Sequence, residues 1–392
     1  MKSFQLTAAP SAPVPAKSDF KIGVYLFHAW RSLAQWRPIA DRPLLGYYDV
    51  ANSQVADWQI KWALEHGISY FAYDWYWRGG KTAHRAGLEA ILKSKFIDGI
   101  KFCLHQCDES YMSLTEKGKQ RQYDDWGVEW DLDWPQDIAH TFSELDTAAH
   151  QEYILKKFLT HPSYLRLADG RAVYMLYRFN IYLRIYGIAG MRRWIEDFRR
   201  RAAKYNLELF FIAAGSCVHP GYLEAVTQSG ADGLTSYNYP WSGARKVMRY
   251  GREMLIGTYD ELTQEHLKYW QRFSSLATQT GLKLIVPLCC GFDNSPWSGT
   301  VVRYGTAPQK FAAHCRLSLP YFDDLKLGVV NAFNEWGEGS YCEPSACWGF
   351  EMLEAIRSVF APESQTPRLE VPEDVTDFAA TEENVPAVDA DL

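Results

Sequence analysis

The stretch LGVVNAFNEWGEGSY, residues 327–341, joins an apolar run directly to a polar, acidic segment. The apolar run predicts a buried β-strand, and the polar cluster begins where that strand would end. Glu335 and Glu338 lie three residues apart, so on a continuing strand their side chains would point to opposite faces. They converge only if the chain turns after Trp336, which the two glycines of this segment permit. We predict such a turn; the alternative is an acidic surface loop.

The same order, an apolar strand followed by a helix, repeats along the chain. The predicted strands span residues 21–27, 68–77, 101–107, 171–177, 208–214, 233–239, 283–290 and 327–333. The predicted helices span residues 53–65, 83–95, 151–159, 190–205, 221–229, 261–280, 309–318 and 349–360. Eight alternating pairs predict an α/β protein with a parallel sheet, a (β/α)8 TIM barrel forming a single domain over residues 20–360. A doubly wound open sheet is the alternative, although no GxGxxG or GxxxxGK[ST] motif follows the first strand.

Two terminal segments differ in composition from this domain. Residues 1–19 are rich in Pro, Ala and Ser, and residues 361–392 hold nine acidic residues against one arginine. The net charge of residues 361–392 is therefore −8. Because the whole chain has a net charge of −6, the other residues together carry about +2. Both segments have too few apolar groups to offset the entropy of ordering, so we predict that they are disordered.

Several classes of function are disfavoured by composition. The sequence lacks the strong basic patch that would predict nucleic-acid binding. It also lacks the run of 18 apolar residues that would predict a membrane span. The start lacks a secretory signal, so we expect a cytoplasmic protein. The eight cysteines form no CxxC pair and no HExxH motif occurs, so we predict free buried thiols, no metal and no cofactor. The pair Asp131-x-Asp133 resembles the metal-binding pair of nucleotide-sugar transferases and is kept as an alternative.

In a barrel, the chemistry lies at the carboxyl ends of the strands. Besides the two glutamates, the candidate binding residues there are His28, Trp30, Asp74, Trp75, Trp77, Arg178, Tyr237, Asn238, Asp293, Asn334 and Trp336. Acidic and aromatic groups with little positive charge suit a neutral polyhydroxylated ligand better than a phosphate. We therefore predict an oligo- or polysaccharide partner, with the oligomeric state left open.

Several of these candidates also have a purely structural interpretation. His28 is equally well explained as a core histidine. Asp74 suits a helix cap or an ion pair with Arg78. Tyr237 and Asn238 suit the turn that precedes a proline.

Two carboxylates at one site are the minimum set for cutting a glycosidic bond. One protonates the leaving oxygen, and the other acts as base or nucleophile at the sugar ring. Mutual repulsion and burial by Trp336 would raise one pKa and keep that group protonated near neutral pH.

The residues Asn334-Glu335-Trp336-Gly337-Glu338-Gly339 resemble the Asn-Glu-Trp-x-Glu-Gly signature of glycoside hydrolase family 99, the endo-α-mannosidases. The likeness is closer to the family-99-like WbsX proteins of bacterial surface-polysaccharide loci, often labelled glycosyltransferases. It covers about residues 21–360. Supporting stretches are residues 45–49, 66–68, 71–77, 161–164 and 291–294.

The resemblance implies a (β/α)8 barrel and metal-independent, retaining hydrolysis of α-mannosides through neighbouring-group participation. Glu335 would deprotonate the sugar 2-hydroxyl, which attacks C1 to give a 1,2-anhydro sugar, and Glu338 would act as general acid and then as base. The mannosidases usually carry His where this chain has Gly337, so the substrate remains open. The alternatives are a glycosyltransferase of polysaccharide assembly and a non-catalytic carbohydrate-binding barrel.

Overall fold

The computed structural model describes only part of the chain in detail. The described residues are 5–6, 9–31, 33–78, 80–107, 121–123, 129–131, 143–215, 220–249, 251–373 and 375–376. Most of residues 108–142 therefore lie outside them, including Asp133 of the Asp131-x-Asp133 pair. Two short strands in that region, Arg121–Tyr123 and Glu129–Asp131, pair antiparallel.

The core of the protein is a closed parallel barrel. Its strands are β1 (Lys21–Leu26), β2 (Ile68–Arg78), β3 (Lys101–Gln106), β4 (Ala172–Tyr177), β5 (Leu209–Ala214), β6 (Gly233–Thr235), β7 (Lys283–Leu284 with Val286–Cys289) and β8 (Leu327–Asn331). Neighbouring strands pair in chain order, and β8 pairs with β1. The two segments of β7 differ in partner: the first pairs with β6 and the second with β8. One strand thus joins the two edges of the sheet, which confirms the barrel.

A helix follows each strand and covers the outside of the barrel. These helices are α1 (Ser53–Glu65), α2 (Arg85–Leu92), α3 (Glu144–Ile154), α4 (Phe179–Ala203), α5 (Pro220–Gln228), α6 (Tyr259–Thr280), α7 (Pro308–Ser318) and α8 (Glu351–Phe360). The sequence predicts the ends of these helices best where capping residues are present. Thr258 and Glu261 form a capping box at the start of α6, and Gly281 ends it in the left-handed conformation. The largest difference is α4, which begins earlier than predicted and bends at Gly187.

The loops after β6 and β7 build a small additional sheet. Its four strands, in sheet order, are Arg245–Arg249, Arg252–Thr258, Val301–Tyr304 and Phe292–Asp293. Loops that leave parallel strands emerge at the carboxyl end of a barrel, so this sheet lies at the end where the chemistry is expected.

The terminal segments differ from the prediction of disorder where the structure describes them. Residues 5–6 pair antiparallel with residues 375–376. Lys61 on α1 is buried and contacts Glu65 at 2.6 Å and Glu370 at 3.4 Å, while the Trp62 indole donates to the Glu370 carbonyl at 2.9 Å. A buried lysine needs carboxylate partners, so residue 370 is held against the barrel. Disorder remains a prediction for residues 377–392, which lie outside the described part.

Across the described ranges, the helices are all too short or too polar to cross a lipid bilayer.

Candidate active site at the carboxyl end of the barrel

The segment after β8 turns as the sequence predicts. Asn334–Glu335 pairs antiparallel with Ser340–Tyr341, and Trp336–Glu338 form a single turn between these two short strands. Gly339 has a φ of +56°, and a Cβ there would lie 2.9 Å from the Asp293 nitrogen. Both the backbone conformation and the close approach of a second loop therefore require glycine. The turn places both carboxylates beside one tyrosine, Tyr237.

Glu335 is buried and lies among other acidic groups. Its Oε2 has no hydrogen-bond partner among the residues described. Burial raises the pKa of Glu335 well above its usual value, and the nearby carboxyls of Glu338 and Asp74 raise it further. An unpaired buried carboxyl oxygen is costly unless it is protonated or meets a ligand. Glu335 is thus suited to accept a hydrogen bond or a proton from a bound hydroxyl.

Glu338 is half-buried and shares its surroundings with Tyr237. The Tyr237 hydroxyl donates to Glu338 Oε2 at 3.2 Å. Burial raises the pKa of Glu338 to about 7, and the Tyr237 hydrogen bond opposes this rise. Burial also raises the pKa of Tyr237 itself well above 10, so this tyrosine stays a donor. A carboxyl with a pKa near neutrality can give up a proton and recover it during turnover.

The floor of the site is an aromatic layer inside the barrel. Tyr25, His105, Tyr177 and Tyr237 lie with neighbouring ring centroids 4.5 to 5.4 Å apart. Each comes from a different part of the sheet, and only Tyr237 among them is predicted from the strand ends in the sequence. The strands β1, β3 and β4 are buried on both faces, so no alternation of apolar and polar residues marks the other three as inward-facing.

Asp74 belongs to this inner layer and is held by a histidine from the next strand. His105 lies opposite Asp74 in the sheet register, and its Nδ1 is 2.7 Å from Asp74 Oδ1. Cys107 Sγ is 3.3 Å from the same histidine nitrogen and 3.6 Å from the carboxylate. These three buried groups have the right chemistry for metal ligands and lie within 4.8 Å of one another. Counting spacings along the chain does not find them, because they come from adjacent strands.

Asn334 and Trp30 stabilise the turn that carries Glu335 and Glu338 through hydrogen bonds within the chain. Asn334 accepts from the Phe27 nitrogen at 2.8 Å and donates to the Phe27 carbonyl at 3.0 Å. The Trp30 indole donates to the Asn334 carbonyl at 2.9 Å and stacks on Trp36. Both side chains are fully buried. They tie the segment that carries Glu335 to the end of β1.

Trp336 is anchored by a further buried glutamate, Glu343, which is not among the residues predicted from the sequence. Glu343 Oε2 accepts from the Trp336 indole at 2.9 Å and from the Tyr48 hydroxyl at 2.7 Å, and Oε1 accepts from Gln59 at 2.8 Å. Burial raises the pKa of Glu343 to about 7. Trp336 also stacks on Tyr341 at 4.0 Å and is buried, so its ring supports the turn and offers no face to a sugar.

Trp75, Trp77 and His28 lie on the outside of the barrel wall, away from the site predicted for them. The Trp75 indole donates to His150 Nε2 at 2.7 Å, and the Trp77 indole to the Asp146 carboxylate at 3.0 Å, both on α3. His28 stacks on Tyr73 and contacts Gly87 of α2; burial lowers its pKa well below 6.5. Adjacent strand residues face opposite sides, so Asp74 and Trp75 cannot share one pocket.

The remaining predicted residues lie at the ends of β4, β6 and β7. Asn238 is buried and donates to Asn331 Oδ1 at 2.9 Å, which links the end of β6 to that of β8. Asp293 Oδ1 accepts from the Ser295 nitrogen at 2.9 Å and shapes the loop next to Gly339. Arg178 is half-buried and left-handed, with a φ of 44°, where β4 passes into α4. These three residues shape the carboxyl end of the barrel. Their direct role in ligand binding stays a prediction.

Trp297 is a further aromatic residue next to the turn, and it is not among the residues predicted from the sequence. It lies on the loop after β7 and is 41% exposed. A Cβ at Gly337 would lie only 1.9 Å from the Trp297 ring. Position 337, where the resemblance leads one to expect histidine, therefore has no room for a side chain. The one feature of the sequence that points to this contact is the glycine at position 337.

The closed eight-stranded barrel, with two glutamates on the turn after β8, defines a (β/α)8 protein. A family model described as glycosyltransferase WbsX matches residues 38–356, and the chain belongs to that family. The protein WxcX of Xanthomonas campestris pv. campestris is 23% identical over an alignment of 372 positions, which covers 87% of this chain and 47% of WxcX. The chain thus spans about half the length of the curated relatives it matches.

Solved structures agree on the fold. A glycoside hydrolase-like protein superimposes with a TM-score of 0.59 at 14% identity, covering 91% of this chain and 98% of its own. The family 99 endo-α-mannosidase of Bacteroides thetaiotaomicron gives a TM-score of 0.57 at 13% identity, covering 88% of this chain and 98% of its own. The expected family resemblance and fold are therefore confirmed.

Proposed function

We propose that this protein is a retaining glycoside hydrolase that cleaves α-mannoside or related glycosidic bonds in a polysaccharide. The observation that carries this proposal is the convergence of Glu335 and Glu338 beside Tyr237, with the pKa of both carboxyls raised. Two such groups supply the acid and the base that glycoside cleavage needs. The aromatic layer beneath them suits the apolar faces of a sugar.

The roles of the two glutamates follow from their surroundings together with the resemblance. Glu335, with its unpaired oxygen and its raised pKa, would take the proton of the sugar 2-hydroxyl. That oxygen would attack C1 to form a 1,2-anhydro sugar as the C1–O bond to the leaving group breaks. Glu338 would give its proton to the leaving oxygen and then take one from the water that opens the anhydro ring. Its pKa of about 7 suits both steps.

The short separation of the glutamates favours retention over inversion. Both lie on one turn, within four residues. Inversion needs one carboxyl on each side of the sugar ring, with a water molecule between ring and base. A single turn does not readily reach both sides, whereas it can place one group beside the 2-hydroxyl and the other beside the glycosidic oxygen.

Glycosyl transfer is the second candidate, because the matching family model is described as a glycosyltransferase. In this site, an acceptor hydroxyl would replace water in the second step. A sugar nucleotide is a poorer donor here, because its diphosphate would meet Asp74 and the two glutamates rather than cations. Calorimetry with nucleotide sugars separates these cases: binding of a nucleotide sugar would favour the transferase.

The test is product analysis with α-mannosides. We expect the early product to keep its anomeric configuration by NMR, and turnover to be insensitive to EDTA. A 2-deoxy or 2-fluoro substrate should be nearly inert, because the nucleophile is missing, and mass spectrometry should find no sugar attached to either glutamate. Tight glycan binding without turnover would instead indicate a non-catalytic barrel. An inverted product or a stable glycosyl adduct would contradict the mechanism.

A further inference from the structure

The side chain of Trp297 occupies the space that position 337 leaves empty. A Cβ on Gly337 would lie 1.9, 2.3 and 2.4 Å from three atoms of the indole ring. Gly337 does not have a positive φ, so its backbone would accept any residue. Glycine is therefore needed here because of the ring and not because of the turn.

The loop that carries Trp297 is well organised. Asn294 Oδ1 accepts from the Val301 nitrogen at 2.9 Å, and its carbonyl accepts from the Gly299 nitrogen at 2.8 Å. The Trp297 nitrogen donates to the same carbonyl at 3.2 Å. These bonds close the loop on itself, so the backbone that carries the ring is ordered before any ligand arrives. Preorganisation of this kind reduces the entropy lost on binding.

One part of the indole is packed and the rest is open. Its ring lies 5.6 Å from Phe27 and 5.7 Å from Trp30, centroid to centroid. Even so, 41% of the residue is exposed, whereas the neighbouring Trp30, Trp36 and Trp336 are completely or almost completely buried. The indole therefore leaves apolar surface exposed to water next to the backbone between Glu335 and Glu338. A ligand that covered this surface would gain free energy from its burial.

We propose that Trp297 forms a sugar-binding subsite next to the scissile bond, with its indole packed on the apolar face of a hexopyranose ring. This inference rests on the proposed function and adds to it a specificity-determining residue. The subsite takes a neutral sugar unit, because the indole offers a large apolar face and a single N–H donor. Gly337 is then part of the same subsite, since only glycine leaves the ring in position.

The test measures binding in a Glu338→Gln background, so that the ligand is not consumed. The probes are α-1,2-, α-1,3- and α-1,6-mannobiose and yeast α-mannan, followed by calorimetry or affinity electrophoresis. We expect Trp297→Ala to weaken binding about tenfold and Trp297→Phe to restore most of it. Leu317→Ala removes an equally exposed apolar side chain at the end of α7, at the opposite end of the barrel, and should have no effect.

A double-mutant cycle checks the geometry. Gly337→Ala should weaken binding about as much as Trp297→Ala, and in the Trp297→Ala background it should add little. Thermal melts of each variant separate misfolding from lost binding.

Equal binding by the parent and Trp297→Ala, or an equal effect of Gly337→Ala in both backgrounds, would overturn the subsite and leave the proposed hydrolase intact. A parent protein that binds none of these saccharides would overturn both. The two failures are distinguishable, because the first appears only in the comparison of variants.

Discussion

The hydroxyl of Tyr237 donates to Oε2 of Glu338 at 3.2 Å, so a residue at the end of β6 tunes a carboxyl on the turn after β8. A donor stabilises the ionised carboxylate and lowers its pKa. In this site the hydrogen bond works against burial, which raises the pKa of Glu338 to about 7. The balance between these two effects leads to the first prediction.

Tyr237→Phe should raise the pKa of Glu338, because the opposing hydrogen bond is lost. If Glu338 is the general acid, its protonated form is active, so activity falls as pH rises through this pKa. We therefore expect the alkaline limb of the kcat/KM profile to move to higher pH by about one unit. Tyr205→Phe is the matched control: it removes a 2.5 Å hydrogen bond to Glu152 on the outer surface and should leave the profile unchanged. An alkaline limb that stays in place would exclude Glu338 as the titrating acid.

Glu338→Gln should abolish most turnover of glycosides with poor leaving groups and spare activated aryl glycosides. A good leaving group departs without a proton, so loss of the acid costs it little. We expect about 10²- to 10⁴-fold loss on the poor substrates. Steady-state kinetics on a series of aryl glycosides of graded leaving-group pKa makes the measurement. Equal losses across the series would show that Glu338 does not protonate the leaving oxygen.

Stability should fall as pH rises from about 4.3, the usual pKa of an unfolded glutamate, to about 7. Glu338 and Glu343 have their folded pKa raised to about 7, and that of Glu335 is raised as well. In this window the folded state holds protons that the unfolded chain has lost, so the ionised form disfavours folding.

Glu343→Gln removes one of these groups and imitates the protonated carboxyl. The unfolding free energy should then fall less steeply with pH, by up to about 1.4 kcal/mol per pH unit. Urea unfolding between pH 5 and pH 7.5 measures both proteins, and an unchanged slope would mean that Glu343 does not titrate in this window.

Removal of residues 365–392 should destabilise the protein, which reverses the expectation from composition. Buried Lys61 would lose Glu370, and the Trp62 indole would lose its acceptor. Lys61 would keep Glu65, but leaving the buried N–H of Trp62 without a partner should cost about 1–3 kcal/mol. Removal of residues 377–392 alone is the control and should be neutral, because that segment is acidic and poor in apolar groups. Equal melting temperatures for both truncations and the full chain would disprove docking of residue 370.

Much of the fold was predictable because it is encoded locally. Apolar runs of strand length alternate with helical segments, and this order suffices for eight parallel strands. The convergence of Glu335 and Glu338 was also predictable, because a turn after Trp336 needs a residue that tolerates a positive φ, and Gly339 supplies it. Caps such as Thr258 with Glu261 defined helix ends for the same local reason.

Tertiary structure decided which polar and aromatic residues share the site. Asp74 contacts His105 only because β2 and β3 pair in one register. Trp75 points to the outside of the barrel because its neighbour Asp74 points to the inside. Trp297 contacts Gly337 although the two residues are 40 positions apart in the chain. Glu343 and Glu370 likewise find partners far away in sequence, on α1 and beside it. Local sequence sets backbone conformation, whereas these contacts depend on strand register and loop packing, which only the closed barrel brings about.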